Sequence, residues 1–444
     1  MRGRIVSLRD YLQAPVAVSP RESLTGERQQ RKLDLRDALY QRLSSEHIAQ
    51  LMAQDKTRAE REVSAVLKQL TLEPRYQIGE PSQRMTLIQE VLNLVVGLGP
   101  LEELLADPSV TEIMVNGHDR VFYEREGCLH TSTVTFDDEQ QLRMVIDRIV
   151  GPLGRRVDEQ SPLVSARLKQ GHRVNVVIPP LALDGPILTI RKFRDEIFTL
   201  DELVLRGSME SRIACLLRWA VLSRKNIAVS GGTGSGKTTL LNALSVEIPP
   251  GERIITIEDA AELRFTTHPH VVRLEARMKN IEGSGEVSIR DLVVNALRMR
   301  PDRIVVGECR SAEALDMLQA MNTGHDGSLT TLHANSPGDV ISRLVMMARY
   351  GMDLPVEVIE EQIGSALDLI VQIDRNPGGV RRVTELCGCR VVEGSVELVP
   401  LVSWDRHTQG YVWQAVPSWL EESAHNPFIE ESEVTAWRSS LSLF

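Results

Sequence analysis

From Lys225 onward, short apolar runs alternate with segments whose apolar residues recur every three or four positions. The runs fall at 225–230, 253–258, 271–275, 303–307, 328–333 and 368–373, and they are dominated by β-branched and aliphatic residues. Unbroken apolar strands separated by helices predict a doubly wound, mostly parallel α/β sheet. The pattern upstream is different. Between 81 and 195 the elements are smaller: helical spacing over 85–105, strand-like pieces at 112–115, 120–124 and 134–136, a helix over 139–150, and strands over 174–178 and 187–193. Such a mixture predicts a smaller α+β domain preceding the sheet. A helix over 199–220 and a flexible hinge around 195–210 would join the two. After 376 the spacing changes to hairpin-like strands (382–385, 391–392, 396–399, 412–416), predicting a β-rich appendage over 376–444 that ends in a polar tail. Residues 1–80 carry helical patterns over 31–51 and 57–70 among many polar residues, and read as a variable, largely helical extension, solvated in preference to the competing reading of amphipathic helices that recruit a partner. The expected domains are therefore 1–80, 81–195, 196–375 and 376–444.

Chemistry enters at the first strand of the sheet. The run at 227–229 ends in Gly231-Gly232-Thr233-Gly234-Ser235-Gly236, followed by Lys237, Thr238 and Thr239 at the head of a helical segment. The spacing G-x-x-x-x-G-K-[ST] between a strand and a helix is that of a phosphate-binding loop. Its glycines let backbone N–H groups close round a phosphate, and the helix N-terminus adds partial positive charge. Lys237 reaches the outer phosphates and the Thr238 hydroxyl is a ligand for Mg²⁺, so ATP and Mg²⁺ are the expected cofactors.

Three more strands end on polar groups, which is where an α/β sheet builds its site. One stops at Glu258-Asp259, acids able to hold metal-bound water or orient an attacking one; a solvated strand end reads the same way. Another stops at Gly307-Glu308. Glycine stands where a magnesium-binding aspartate usually would, so Glu308 is cast as the base that polarises water, and the metal rests on Thr238, Asp259 and phosphate oxygens. The third stops at His333, placed to sense a γ-phosphate, against the plainer reading of a structural histidine. The smaller domain carries Arg155, Arg156, Arg167, Arg173 and Arg191, surface arginines by default but of the type that makes bidentate phosphate contacts.

Composition narrows the classes. The 444 residues are 42% hydrophobic and 25% charged, with a formal charge of −10 and no dominant basic stripe, so no nucleic-acid partner is expected. Five scattered cysteines, with Cys387 and Cys389 the nearest pair, lack the companions of a zinc site and read as reduced thiols. No apolar run reaches the roughly 18 residues of a membrane span, which predicts a soluble chain.

Taken in order, SGGTGSGKTT (230–239), ITIEDAAEL (255–263), RMRPDRIVVGE (298–308) and NTGHDGSLTTLHANSP (322–337) resemble the type II/type IV secretion ATPase superfamily. Together with GPLEELLADPSVTEIMVNG (99–117) and RVNVVIPPLALDGPILTIRKF (173–193), they are most similar to the CpaF-type motors of tight-adherence (Flp) pili. The resemblance covers 81–375. It implies a RecA-like P-loop NTPase domain that hydrolyses ATP, with Lys237 and Thr238 on phosphate and Mg²⁺, Glu258 and Asp259 as the acidic box, Glu308 as catalytic glutamate and His333 as sensor. It further implies γ-phosphate contacts from Arg173 and Arg191, with Arg167 a third candidate. A homo-hexamer at the cytoplasmic face of the inner membrane would then drive a pilus or secretion platform. Cys309-Arg310-Ser311 departs from the family wording and is given no catalytic role. A nucleotide-gated scaffold that does not hydrolyse and a nucleic-acid translocase are the competing readings.

Overall fold

The computed structural model describes residues 26–76, 80–125, 127–153, 155–168, 170–193, 198–265, 268–277, 284–376, 378–421 and 426–441. The first 25 residues of the expected extension, positions 195–197 of the expected hinge and the last three residues of the tail lie outside the described residues. The chain divides into two compact units, Met1–Arg194 and Asp195–Phe444.

In the first unit, helices Gly26–Arg42, Ser45–Gln54, Lys56–Leu70 and Pro81–Val95 share one core. The third of these starts at Asp55, whose side chain accepts the N–H groups of Thr57 and Arg58, and it buries Ala59, Val63, Leu67 and Leu70 at helical spacing. These meet Leu35, Leu39, Ile48 and Leu51 from the preceding helices and Leu87, Ile88 and Val91 from the following one. A buried Leu or Val side chain stabilises by about 1.5–3 kcal/mol. From residue 26 onward the region expected to be solvated is instead a folded helical layer, because its three short apolar stripes and that of helix Pro81–Val95 cover one another.

The rest of this unit is an antiparallel sheet in the order β3-β2-β1-β6-β5-β4, built from β1 (Val110–Asn116), β2 (Val121–Arg125), β3 (Cys128–Thr131), β4 (Leu163–Arg167), β5 (Arg173–Val177) and β6 (Ile187–Arg191). Helix Glu139–Val150 lays Leu142, Val145, Ile146 and Ile149 on one face. The sequence did not reveal β3, which is exposed throughout, or β4, where only Val164 is buried. The piece at 134–136 is not a strand. Phe136 is buried and donates one backbone hydrogen bond to the His118 carbonyl at 2.9 Å.

The second unit is organised on a nine-stranded sheet in the order β15-β14-β13-β12-β7-β11-β10-β8-β9. Strands β7 (Ile227–Ser230), β8 (Ile254–Glu258), β9 (Val271–Glu275), β10 (Arg303–Val306), β11 (Leu329–Leu332) and β12 (Leu369–Arg375) are mutually parallel. Their side chains feed two cores alternately: Ile227, Val229 and Val305 enter one, Ala228, Ile304 and Val306 the other. Burial on both faces is why these strands read as unbroken apolar runs. At the start of β10, fully buried Arg303 grips Glu252 with Nε at 2.7 Å and Nη2 at 3.0 Å.

The strands after residue 376 do not form a separate appendage. Strand β13 (Arg381–Val392) pairs antiparallel with β12 from Leu369↔Gly388 to Arg375↔Arg381, and β14 (Ser395–Asp405) and β15 (Gly410–Trp413) continue the same sheet. The sheet is therefore mixed, with β12 and β13 forming an antiparallel hairpin inside it. The tail also folds back. Helix Glu431–Ser439 buries Trp437 edge-on to Trp413 and Trp219, with ring centroids 5.1 and 5.6 Å away, and the Trp437 Nε1–H donates to the Arg212 carbonyl at 2.9 Å. The predicted helix 199–220 breaks into Leu200–Leu205 and Ser211–Leu222.

Candidate active site

The strand order brings the C-terminal ends of β7, β11, β10 and β8 side by side, and each delivers one polar group. From β7 the chain enters Gly231–Gly236 and then helix Lys237–Val246, with Lys237 and Thr238 in its first turn. Gly231 admits no other residue: a Cβ there would lie 2.1 Å from the Ile373 carbonyl oxygen of the neighbouring strand. Gly236 enters the helix at φ +103, in the left-handed region that favours glycine. Gly232, Thr233 and Gly234 are exposed, Ser235 is buried, and Thr238 and Thr239 are half-buried.

Lys237 is buried, and its Nζ donates to the carbonyls of Gly231 at 3.0 Å and Gly232 at 2.9 Å, with His333 Nδ1 at 3.3 Å. His333 Nε2 lies 3.0 Å from Glu308 Oε1. Burial and the Lys237 charge hold the imidazole below the ordinary histidine range, outweighing the upward pull of Glu308. The ring is wedged between a cation and an anion: Nδ1 accepts from Lys237, while Nε2 faces Glu308 Oε1, a buried oxygen that makes no hydrogen bond among the described residues. Glu308 Oε2 accepts from Arg310 Nη2 at 2.7 Å, and Arg310 Nη1 donates to Asp259 Oδ2 at 3.0 Å. Burial pushes the Glu308 carboxyl up, but the Arg310 hydrogen bond and charge, with His333 and Lys237, leave it below the usual carboxylate range. A line of close polar contacts thus runs Lys237–His333–Glu308–Arg310–Asp259, hydrogen-bonded at every step but His333–Glu308, with opposite charges alternating about the histidine.

Of the residues expected at the site, Lys237, His333, Glu308 and Asp259 come together. The Glu258 carboxylate does not join this line. It is buried, and its Oε1 accepts the backbone N–H groups of Glu262 at 2.7 Å and Leu263 at 2.9 Å, holding the turn that follows Asp259. Burial pushes it up to about 7 despite those two hydrogen bonds. Its Cγ lies 2.8 Å from where a Cβ on Gly307 would stand, which accounts for glycine at the position before Glu308. Arg173 and Arg191 belong to the first unit, where they are direct partners on β5 and β6, with Arg167 on β4 opposite Arg173. Residues opposite one another in an antiparallel ladder share a face, so the three guanidinium stems form one row.

Two residues were not anticipated as parts of the site. Arg310 had been set aside, although its spacing two residues past Glu308 already placed a cation beside the base. Gln372 on β12 carried no local signal at all. It is buried, accepts from Ser230 Oγ at 2.5 Å, and donates through Nε2 to the Ala334 carbonyl at 3.3 Å and to Asp374 Oδ1 at 3.0 Å. It ties the entrance of the phosphate loop to the residue after His333.

The donor set suits Mg²⁺. Among the described residues no three His, Cys, Asp or Glu side chains gather as an all-protein metal cage. Asp259 and Glu308 bring carboxylate oxygens together on Arg310, and Thr238 stands in the first turn after the phosphate loop; such oxygens suit magnesium, which takes one or two protein ligands and completes its shell with phosphate and water.

A family model described as "Type II/IV secretion system protein" matches residues 95–402. A "Putative conjugal transfer protein" of Mycobacterium tuberculosis is 40% identical over 318 residues, which span 70% of this chain and 90% of that protein. The conjugal transfer protein TrbB of Rhizobium radiobacter is 35% identical over 311 residues, spanning 68% of this chain and 92% of that one. The type IV secretion system protein PtlH of Bordetella pertussis is 36% identical over 313 residues, spanning 64% and 91%.

Proposed function

We propose that this chain, which belongs to the type II/IV secretion system protein family, hydrolyses ATP and passes the resulting domain movement to a secretion or pilus-assembly machine. The observation that carries the reading is this line of contacts: a P-loop lysine bonded to His333, which faces a carboxylate at the end of an adjacent strand.

In the proposed reaction the loop amides and Lys237 bind the β- and γ-phosphates. Glu308 orients and polarises the attacking water. His333, bonded to Lys237 through Nδ1 and facing Glu308 with Nε2, registers whether the lysine is engaged by phosphate. Thr238 and Asp259 would hold Mg²⁺, which supplies charge neutralisation at the phosphates. Glu258 keeps the Asp259 turn in place. Arg173 and Arg191 are proposed to add positive charge on the outer side of the γ-phosphate in a homo-hexameric ring, a contribution that can raise turnover by about 10³ or more.

The finer assignment, a tight-adherence pilus motor working on inner-membrane platform proteins at the cytoplasmic face, rests on the wording of the four motifs together with the stretches 99–117 and 173–193. No helix among the described residues is long and apolar enough to cross a membrane, which suits a peripheral subunit. Relatives named for conjugal transfer favour, as a second reading, the motor of a conjugation-type secretion machine.

The test separates binding from chemistry. Lys237→Ala is expected to lose both nucleotide affinity and phosphate release. Glu308→Gln is expected to keep affinity and lose turnover by about a hundredfold or more. Near wild-type turnover in Glu308→Gln defeats the assignment of the base.

A further inference from the structure

Arg310 holds two acids that the proposed reaction needs for other purposes. Its Nη2 is 2.7 Å from Glu308 Oε2 and its Nη1 is 3.0 Å from Asp259 Oδ2. The second Glu308 oxygen already faces His333 at 3.0 Å. Oε1 is buried and makes no hydrogen bond among the described residues, and Oε2 is held by Arg310, so the Arg310 contact must break before the carboxylate can hold a water. The same guanidinium sits on the carboxylate proposed for the metal. Two carboxylates from different strands converge here on one positive charge, which is the electrostatic arrangement a divalent cation would otherwise satisfy.

We propose that Arg310 is a positioning residue that holds Asp259 and Glu308 until the metal proposed for Asp259 arrives, so that metal entry and release of Arg310 are one event. The proposal rests on the reading that Mg²⁺ and ATP bind here, and it goes further by making the protein's own arginine the metal's competitor.

The geometry suits a contact that must be made and broken. The Arg310 side chain is 51% exposed and Asp259 is 40% exposed, so water screens the pair and its strength is modest. The residue is also tethered. Backbone N–H groups of Arg310 and Ser311 donate to Glu313 Oε1 at 2.6 and 2.8 Å, fixing the chain at the start of helix Glu313–Asn322 while the long side chain is free to rotate away. Without this cation Asp259 and Glu308 would present two like charges to each other, and that repulsion would rise until a metal arrived. Arg310 thus keeps the acids correctly placed and also charges a toll on metal entry.

The experiment measures metal affinity directly, on the full chain. Mn²⁺ serves as the probe, its free concentration read by electron paramagnetic resonance in the presence of saturating ADP. The proteins compared are wild type, Arg310→Ala and Arg310→Gln. ADP affinity in EDTA is measured alongside and should be unchanged, since the phosphate loop is intact; this also establishes that each variant is folded. Removing the competitor should tighten Mn²⁺ binding by about three- to tenfold in both variants, the scale of one or two exposed ion pairs. Damage to the site weakens metal binding and cannot produce that gain. Equal or weaker Mn²⁺ affinity in either variant that retains ADP affinity in EDTA overturns the proposal while leaving the ATPase reading standing. No saturable Mn²⁺ binding in the wild type itself overturns the proposal together with the metal assignment on which it rests.

Discussion

Replacing Glu258 by glutamine isolates one buried carboxyl. Its Oε1 accepts from the Glu262 and Leu263 N–H groups, while Oε2 is buried with no hydrogen-bond partner among the described residues. Burial raises it from an ordinary 4.5 to about 7, against the lowering effect of the two N–H groups. A carboxyl raised in the folded state contributes stability that is fully present below 4.5 and is lost as pH climbs through 7. Each tenfold change in proton affinity is worth about 1.4 kcal/mol, so between pH 5 and pH 8 the wild type should lose roughly 2.5 kcal/mol at this position. The glutamine keeps the acceptor at Oε1 and never ionises, but it buries an N–H pair with nothing to bond, costing about 1–3 kcal/mol at every pH. The variant should therefore be less stable than wild type at pH 5 and reach parity or better at pH 8. All five tryptophans, at 219, 404, 413, 419 and 437, lie in the second unit, so urea unfolding followed by tryptophan fluorescence reports the unit that contains Glu258. Measurements at pH 5, 6, 7 and 8, without nucleotide and in EDTA, give the difference between the two proteins, from which every other titrating group cancels. A difference that stays level within about 0.5 kcal/mol, or moves the other way, refutes the assignment of a raised, desolvated carboxyl.

Other contacts yield sharp outcomes too. Arg303→Met strands Glu252 beside the core, leaving Arg224 at 3.2 Å as its one cationic partner among the described residues, and should destabilise the second unit by about 3–5 kcal/mol; a loss under about 1 kcal/mol in the same fluorescence assay contradicts that view. Gln372→Leu leaves the buried Ser230 hydroxyl and the Ala334 carbonyl without their partner, a cost of about 1–3 kcal/mol. It should lower turnover more than ADP affinity because it frees the residue after His333, and Ser230→Ala in the same background should restore part of the stability; equal losses in turnover and affinity would mean Gln372 only supports the loop. Arg173→Ala and Arg191→Ala should reduce phosphate release with little change in affinity, and mixing either with Lys237→Ala should recover some activity if the arginine acts across subunits; unchanged turnover in both single variants removes these residues from the reaction.

Much of the site was legible in the chain because its rules are local. Gly231 to Thr238 satisfy steric and hydrogen-bonding demands within eight consecutive residues, and a spacing can express those. The parallel strands were legible for a related reason: burial on both faces forbids polar alternation, so each announces itself as an apolar run. Acids and a histidine at strand ends followed from the same pattern. What the pattern could not carry was adjacency between strands far apart in sequence. Only the order β12-β7-β11-β10-β8 sets Glu308 against His333, lays Arg310 between Glu308 and Asp259, and puts Gln372 between Ser230 and Ala334. Glu258 and Asp259, neighbours in the chain, were read as a pair, but the pleat and the turn send one inward to hold backbone amides and leave the other facing Arg310. The closing hairpins and Trp437 were read as an appendage and a polar tail for the same reason. Half-buried hairpin strands and an amphipathic helix of nine residues show little apolar surface on their own, and it is the partner surface, the edge of β12 and the indole of Trp219, that makes their burial favourable.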